Sequence, residues 1–412
     1  MKIKPVLILS AILLMLGLGS AGCTKTPDLY QQLRAIARPY DFSLAAWEVK
    51  TTPHEANQLI FGWRNRTADE VQTVTEHFDT VRRIRTLKSQ IQAIDHGTGQ
   101  GNSSQLETEL DALREQSLAS QDEVERILEK QIRAVLAEQD IFNPLDAYTI
   151  RPRINFPPLN FKLEPPPRLL VVSPRERIES LREFLLKPDI SLEEMEAVEA
   201  AADELGVSSL VVELGGLGAT YPSLVTNEAS LRFTLDAAAE EWLHQYLFPR
   251  PLGILYTLDL TGLSPDYEIA TINETVASMA SKEIGALVYE KYYAPYDNAG
   301  QSSQKDGSGF DFNREMRDIR RKVDEYLACG EIELAEGFME EKRQYLADNG
   351  YYIRKLNQAY FAFHGTYADS PTSVSPIGAE LEKLREQSLS LKDFLNKAAT
   401  ITSRQHLQEM LE

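Results

Sequence analysis

Apolar side chains recur every three or four residues along two consecutive stretches of the chain. The first stretch contains Val71, Val74, Phe78, Val81, Ile84, Leu87, Ile91 and Ile94. The second contains Leu106, Leu110, Leu113, Val124, Ile127, Ile132 and Val135. This spacing predicts two amphipathic helices, and the glycine-rich segment 97–103 predicts a turn between them. We expect an antiparallel helical hairpin over residues 67–143, either a packed scaffold or an arm that recognises a partner.

A different pattern follows the hairpin. Residues 144–167 are rich in proline, which predicts an extended linker and a domain boundary. Beyond the linker, short apolar runs alternate with helical periodicity. We predict strands over 168–172 and 208–213, and helices over 174–187, 191–205, 228–247, 273–293, 313–346, 352–363 and 379–412. The chain is therefore expected to be an α+β protein, predominantly α-helical, with its second domain over residues 168–412.

The N-terminus has the charge and size pattern of an export signal. Lys2 and Lys4 precede an apolar run over residues 6–18, which is followed by small residues and then Cys23. This order predicts a signal peptide over residues 1–22 and a bacterial lipoprotein anchored in the membrane through Cys23. Residues 23–66 would form a tether and a leading helix. Cleavage near Ala21, which would release a soluble protein, is the alternative.

Charge and cysteine content narrow the functional classes. The net charge is −19, and such a surface repels phosphate backbones, so we exclude nucleic acid as a partner. If Cys23 is acylated, only Cys329 remains, and an intramolecular disulfide is excluded. The position of Cys329 in a helical stretch predicts a small buried hydrophobic residue.

Three polar residues in the segment 240–244 carry the most specific chemical signal. In zinc peptidases two ligands at positions i and i+4 of one helix face the same metal, and a Glu beside the first ligand acts as general base. Glu241 and His244 occupy the base and second-ligand positions, and Glu274 follows 30 residues after His244. The first-ligand position, commonly His, holds Glu240.

This pattern resembles the gluzincin metallopeptidases, whose signature is His-Glu-x-x-His followed by Asn-Glu-x-x-Ala. The second part stands here as Asn273, Glu274 and Ala277. More narrowly, segments 356–360 and 365–367 are similar to a group of bacterial envelope proteins described as aminopeptidase-like. The resemblance covers about residues 165–400 and implies a zincin-like metallopeptidase domain.

The resemblance also implies residue roles. His244 and Glu274 would bind zinc, Glu241 would be the general base, and the peptide bond would be hydrolysed by metal-activated water. Glu240 would complete the ligand set as a carboxylate. Two carboxylates and a dipositive metal ion would then give the site a net charge near zero. Such a site would activate water less strongly and would favour harder metals such as manganese. The segment 215–221 would be either an edge strand that pairs with substrate or a plain hairpin turn.

One residue of the later segment would stabilise the oxyanion, as a Tyr or His often does in gluzincins; the alternative is that all the candidates are half-buried aromatic residues of a helix with a structural role. The candidates are Tyr360, His364 and Tyr367.

Two functions from different classes therefore stay open. The first is an extracytoplasmic, membrane-tethered metallopeptidase, an aminopeptidase by resemblance, with a peptide as substrate. The second is a non-catalytic envelope protein that uses a degenerate zincin domain as a scaffold, binds no metal and takes another envelope protein as partner. Metal content distinguishes them.

Overall fold

The computed structural model describes residues 28–47, 69–95, 101–144, 155–294 and 310–412. The expected signal peptide, Cys23, most of segment 23–66 and much of the linker lie outside these residues. In the part of the chain that is described, no helix has the length and apolar content needed to cross a membrane.

The described residues form a predominantly helical α+β structure, as the sequence predicted. The helices are α1 Leu29–Ala37, α2 Glu70–Asp95, α3 Ser103–Glu138, α4 Leu192–Asp203, α5 Leu231–Leu247, α6 Pro251–Leu260, α7 Tyr267–Tyr292, α8 Phe312–Ala328, α9 Ile332–Asp348, α10 Gln358–Gly365, α11 Pro376–Glu386, α12 Leu391–Ala398 and α13 Arg404–Glu409. The strands are β1 Phe161–Leu163, β2 Arg168–Pro174, β3 Arg182–Leu186, β4 Val207–Glu213, β5 Gly216–Leu217 and β6 Ser223–Val225.

The smaller sheet has the order β1-β6-β5 and borders the site helices. β1 runs parallel to β6, and β5 runs antiparallel to β6 at the opposite edge. The backbone N–H groups of Phe161 and Leu163 donate to side chains of α3, Glu129 Oε1 at 3.2 Å and Glu125 Oε1 at 2.7 Å. Lys162 Nζ lies 2.9 Å from the second Glu125 oxygen. Helix α3 therefore packs along the edge of the sheet formed by β1 and is held there by these contacts.

The larger sheet has the antiparallel order β3-β2-β4. Helices α1 and α4 pack on one face and α10 packs on the other. The helix predicted over residues 174–187 is wrong, because residues 182–186 form β3 instead. The segment combines charged residues with the apolar residues Phe184, Leu185 and Leu186, and this mixture resembles the composition of an amphipathic helix. In the structure these three residues pair with β2.

Helices α5 and α7 form the centre of the main core. Trp242 and Tyr246 are each 2% exposed and pack in this core, and Trp242 Nε1 donates to the Pro157 carbonyl at 2.8 Å. The inner half of α3 belongs to the same core. Gly285 lets α7 approach α5, since a Cβ atom there would collide with the Asp236 carboxylate. The close contact of the two helices is what fixes the candidate site.

Cys329 is exposed, which corrects the expectation that it is buried. It caps the C-terminal end of α8, immediately before Gly330 at φ +75°. The helix buries Met316, Ile319, Val323 and Leu327. Cys329 lies just beyond this stripe and reaches solvent.

A buried histidine between α2 and α3 should make the hairpin sensitive to acid. His77 is 3% exposed, and its Nδ1 lies 2.8 Å from Ser120 Oγ. Burial lowers the pKa of His77 from 6.5 to about 4. The folded state therefore favours the neutral ring, and the stability from this group is present above pH 6.5 and is lost as the pH falls toward 4.

We expect the substitution His77→Leu to remove up to about 3 kcal/mol of the acid-induced loss in the free energy of unfolding. Urea unfolding of both proteins at about pH 7 and about pH 4 measures this difference. Parallel loss of stability in the two proteins would show that His77 is not the titrating group.

Candidate metal centre

Two helices place three potential metal ligands together. Helix α5 begins after Ser230, whose hydroxyl accepts from the Phe233 N–H, and it presents Glu240 and His244 one turn apart. Helix α7 contributes Glu274. One donor atom from each of the three side chains lies within 4.8 Å of the others. The fold therefore brings together Glu240, His244 and Glu274, the three residues that the sequence pattern singled out as ligands.

The imidazole and one carboxylate are held in defined orientations. His244 Nδ1 lies 2.9 Å from Oδ1 of the fully buried Asn273, so the other ring nitrogen faces the cluster. His244 Nε2 is 3.6 Å from Glu274 Oε2. The Tyr256 hydroxyl donates to Glu274 Oε1, and the Tyr256 ring stacks on His244 with centroids 5.6 Å apart. Such hydrogen bonds from outer residues fix the orientation of metal ligands.

Burial, together with the crowding of acids, raises the pKa values of two carboxyl groups at this centre. Burial, and then the charge of Glu274, raise the pKa of Glu240 to about 8. Burial, followed by the charges of Glu240 and Glu274, raises the pKa of Glu241 well above its usual value, against a hydrogen bond from the Gly218 backbone. A cluster of acids that resists full ionisation is an environment in which a divalent cation is favoured.

The carboxylate of Glu241 lies against the turn that follows β5. A Cβ atom at Gly216 would collide with the Glu241 carboxylate, and one at Gly218 would lie 2.8 Å from the Glu241 backbone oxygen and also 2.8 Å from its Oε2. Gln245 Nε2 donates to the carbonyls of Gly218 at 3.1 Å and Thr220 at 2.9 Å. Only glycine permits this approach of backbone to the acid. The segment 215–221 thus contains a short edge strand, β5, beside Glu241.

The three candidates from the later segment separate in space. Burial, and then the charges of Glu274, Glu240 and Glu241, raise the pKa of Tyr367 well above its usual range. The Thr366 carbonyl and the Ala368 N–H both bond Oγ1 of Thr275, the residue after Glu274, so Tyr367 is held against this part of α7. Tyr360 and His364, with ring centroids 4.3 Å apart, line a cavity between α7, α8 and α10 instead. Tyr367 is therefore the candidate that the fold brings to the acids.

The donor set fits a divalent cation. An imidazole nitrogen and carboxylate oxygens are each donors that bind zinc, although the usual first His is replaced by Glu240, and the oxygen-rich composition also suits manganese. The side chains of His244 and Glu274 are 15% and 13% exposed. The centre is thus enclosed, yet reachable from solvent.

Sequence reasoning missed the residues that support the ligands. Asn273 was noticed only as part of a motif, whereas its side chain orients His244. Tyr256 lies on α6, a helix that was not predicted. The role of Gln245 could not be predicted from the sequence, because it depends on where the tertiary structure places the Gly218 carbonyl.

Comparison with models of protein families, with curated proteins and with solved structures found no match to this chain.

Proposed function

We propose that this chain is an extracytoplasmic, membrane-anchored metallopeptidase of the gluzincin type. The observation that carries the proposal is the convergence of Glu240, His244 and Glu274 on one point beside the carboxylate of Glu241. Export and the lipid anchor at Cys23 rest on the sequence of residues 1–23. The activity rests on the described residues of α5 and α7.

Each residue of the centre has a role in this proposal. Glu240, His244 and Glu274 would hold the metal, with Asn273 and Tyr256 keeping two of them in position. A bound zinc or manganese ion would polarise the scissile carbonyl and acidify water. Glu241 would accept a proton at its carboxylate and deliver it to the leaving amine. The Tyr367 hydroxyl would donate a hydrogen bond to the developing oxyanion.

The small sheet supports a peptide as the substrate. β5 is an edge strand, and it lies directly beside the Glu241 carboxylate. An extended peptide can add to such an edge through backbone hydrogen bonds. The glycines at 216 and 218 let the backbone of β5 and its turn lie directly against the acid. A strand-like substrate would therefore be held with one peptide bond near the three ligands.

A non-catalytic scaffold is the second candidate, and one observation favours it. The pKa of Glu240 is raised to about 8, so a proton competes with a metal for this ligand at neutral pH. In the scaffold case the cluster would be a protonated remnant of a metal site. The protein would then act through another surface, such as the outer part of the α2–α3 pair.

Metal content of the purified protein and of the variant His244→Ala tests the proposal. We expect about one equivalent of zinc or manganese in the parent protein and none in the variant. Zinc at about 100 times its dissociation constant should raise the free energy of unfolding of the parent by about 2.7 kcal/mol. The variant should show no such increase.

His406→Ala is the matched control, because His406 lies in the terminal helix α13, away from the cluster. It should bind metal as the parent does. Elemental analysis and thermal unfolding give both readouts. A parent protein that stays free of metal after dialysis against zinc and against manganese would leave the scaffold as the better account.

A further inference from the structure

A cavity of about 290 Å³ lies between α7, α8, α10 and the segment that leads into α11. Its walls include Tyr267, Thr271, Met316, Tyr360, Phe361 and His364. None of these residues belongs to the metal cluster. The cavity is therefore a second concave feature of the molecule, with its own lining.

The cavity and the metal centre lie along one interface between α7 and the α10 region. On α7, Thr271 precedes Glu274 by about one helical turn and Tyr267 precedes it by about two, so the three share a face. The Tyr267 hydroxyl donates to the Ala362 carbonyl at 2.8 Å, and Thr275 Oγ1 donates to the Thr366 carbonyl at 3.1 Å. These bonds hold the interface together from the cavity to Tyr367. The cavity wall at Thr271 thus lies about one helical turn, roughly 5 Å along α7, from Glu274.

The charged groups at the cavity are already paired. Arg320 Nε lies 3.0 Å from both carboxylate oxygens of Asp324. Arg404 binds Glu268 at 3.2 Å and Glu380 at 3.0 Å. The cavity consequently offers no free charge of either sign from these arginines.

The remaining surface of the cavity combines apolar and aromatic side chains with the hydroxyl groups of Thr271, Thr372, Ser373 and Ser375. Met316, Phe361 and Ile377 are buried and supply hydrocarbon and a ring face. The His364 ring lines the cavity while its residue is exposed to solvent, and it can exchange a hydrogen bond with a ligand. The lining suits a large uncharged ring, optionally with a hydroxyl group at its edge.

We propose that this cavity is a specificity pocket that takes one large aromatic side chain of the peptide substrate, next to the scissile bond. This inference rests on the proposed peptidase function, because only a peptidase has a scissile bond beside which the pocket can act. A volume of about 290 Å³ lies at the lower end of the range of about 300–1,000 Å³ typical of small-molecule sites. It can hold a single large side chain.

Three pentapeptides test the pocket: Ala-Ala-Tyr-Ala-Ala, Ala-Ala-Glu-Ala-Ala and penta-alanine. With the metal-loaded parent protein we expect kcat/KM for the tyrosine peptide to exceed that for each of the others by about 10- to 200-fold. The variant Val374→Trp fills the cavity from its rim and should reduce this preference to about the level of penta-alanine. Val374→Phe should have an intermediate effect and serves if the larger ring disturbs folding.

Leu389→Trp is the matched control, because Leu389 is 97% exposed and its ring would lie in solvent. It should keep the preference of the parent. If the parent cleaves all three peptides equally, or if Val374→Trp keeps the preference for tyrosine, the pocket assignment is wrong and the peptidase proposal stands.

Binding distinguishes failure of the pocket from failure of the catalytic proposal. Calorimetric titration of the variant Glu241→Gln with the same peptides needs no turnover. We expect tighter binding of the tyrosine peptide by about tenfold or more, which is lost when Val374→Trp is added. Selective binding without cleavage by the parent would overturn the peptidase proposal and keep the pocket. Equal binding of the three peptides would overturn the pocket.

Discussion

Replacing Glu241 with glutamine is expected to lower kcat by about 10²- to 10⁴-fold on any peptide that the protein hydrolyses. Glutamine keeps the size of the side chain and its contact with the Gly218 backbone, but it cannot accept the proton. The metal should stay bound, because the three ligands are Glu240, His244 and Glu274. Loss of turnover with an unchanged metal content is therefore the expected signature.

Steady-state kinetics on the pentapeptides and elemental analysis of the same sample measure the two properties together. Glu290→Gln is the control, since Glu290 is an exposed acid on α7 and the same chemical change there should leave kcat intact. If Glu241→Gln retains full activity, another group transfers the proton. If it loses the metal as well, Glu241 is a ligand rather than a base.

Replacing Glu240 with histidine is expected to tighten zinc binding by about 10- to 100-fold at neutral pH. In the metal-free parent the pKa of Glu240 is about 8, so below that pH a proton must leave before the ligand can bind. Apparent zinc affinity should then weaken by up to about tenfold for each pH unit below 8. A histidine has an ordinary pKa near 6.5, and burial lowers it further. Proton competition in the variant should therefore begin below about pH 6.5.

Zinc titrations with a competing chelator at about pH 6.5, 7.25 and 8 measure both the affinity and its slope with pH. The variant also leaves the bound ion with one more positive charge, so its peptidase activity should rise. A variant with neither higher zinc affinity nor a flatter pH profile would contradict the assignment of Glu240 as first ligand. Together with a metal-free parent, that result would favour the scaffold.

The helices that carry the ligands could be predicted because their signal is local. The i, i+4 spacing of Glu240 and His244 is a property of one helix, and a second helical stretch around Glu274 could be found from its own pattern. Their ends were less accurate. Helix α5 begins at Leu231, three residues after the predicted start, because Ser230 supplies the cap. Helix α7 begins at Tyr267, six residues before the predicted start, after the cap by Asp266.

Elements that depend on tertiary contacts could not be predicted in this way. Helix α6 is apolar around most of its circumference, with Ile254 and Leu260 about half exposed, so no periodicity marks it. Strand β3 has a helix-like composition and is a strand only because β2 pairs with it. Tyr256, which fixes Glu274, and the glycines beside Glu241 are brought to the site by these longer-range contacts. The ligands could be found from the sequence, but their supports could not.

The carboxylates of Glu125 and Glu129 have a consequence for how copies of this protein can meet. They occupy the outward N–H groups of β1, so a neighbouring molecule finds no free donors along that edge of the small sheet. Pairing of this sheet between copies is then restricted to β5. Two molecules that join through β5 would use up the one available edge in each, and the assembly would close as a symmetric pair. This sheet could then not propagate into a filament, even at high protein concentration.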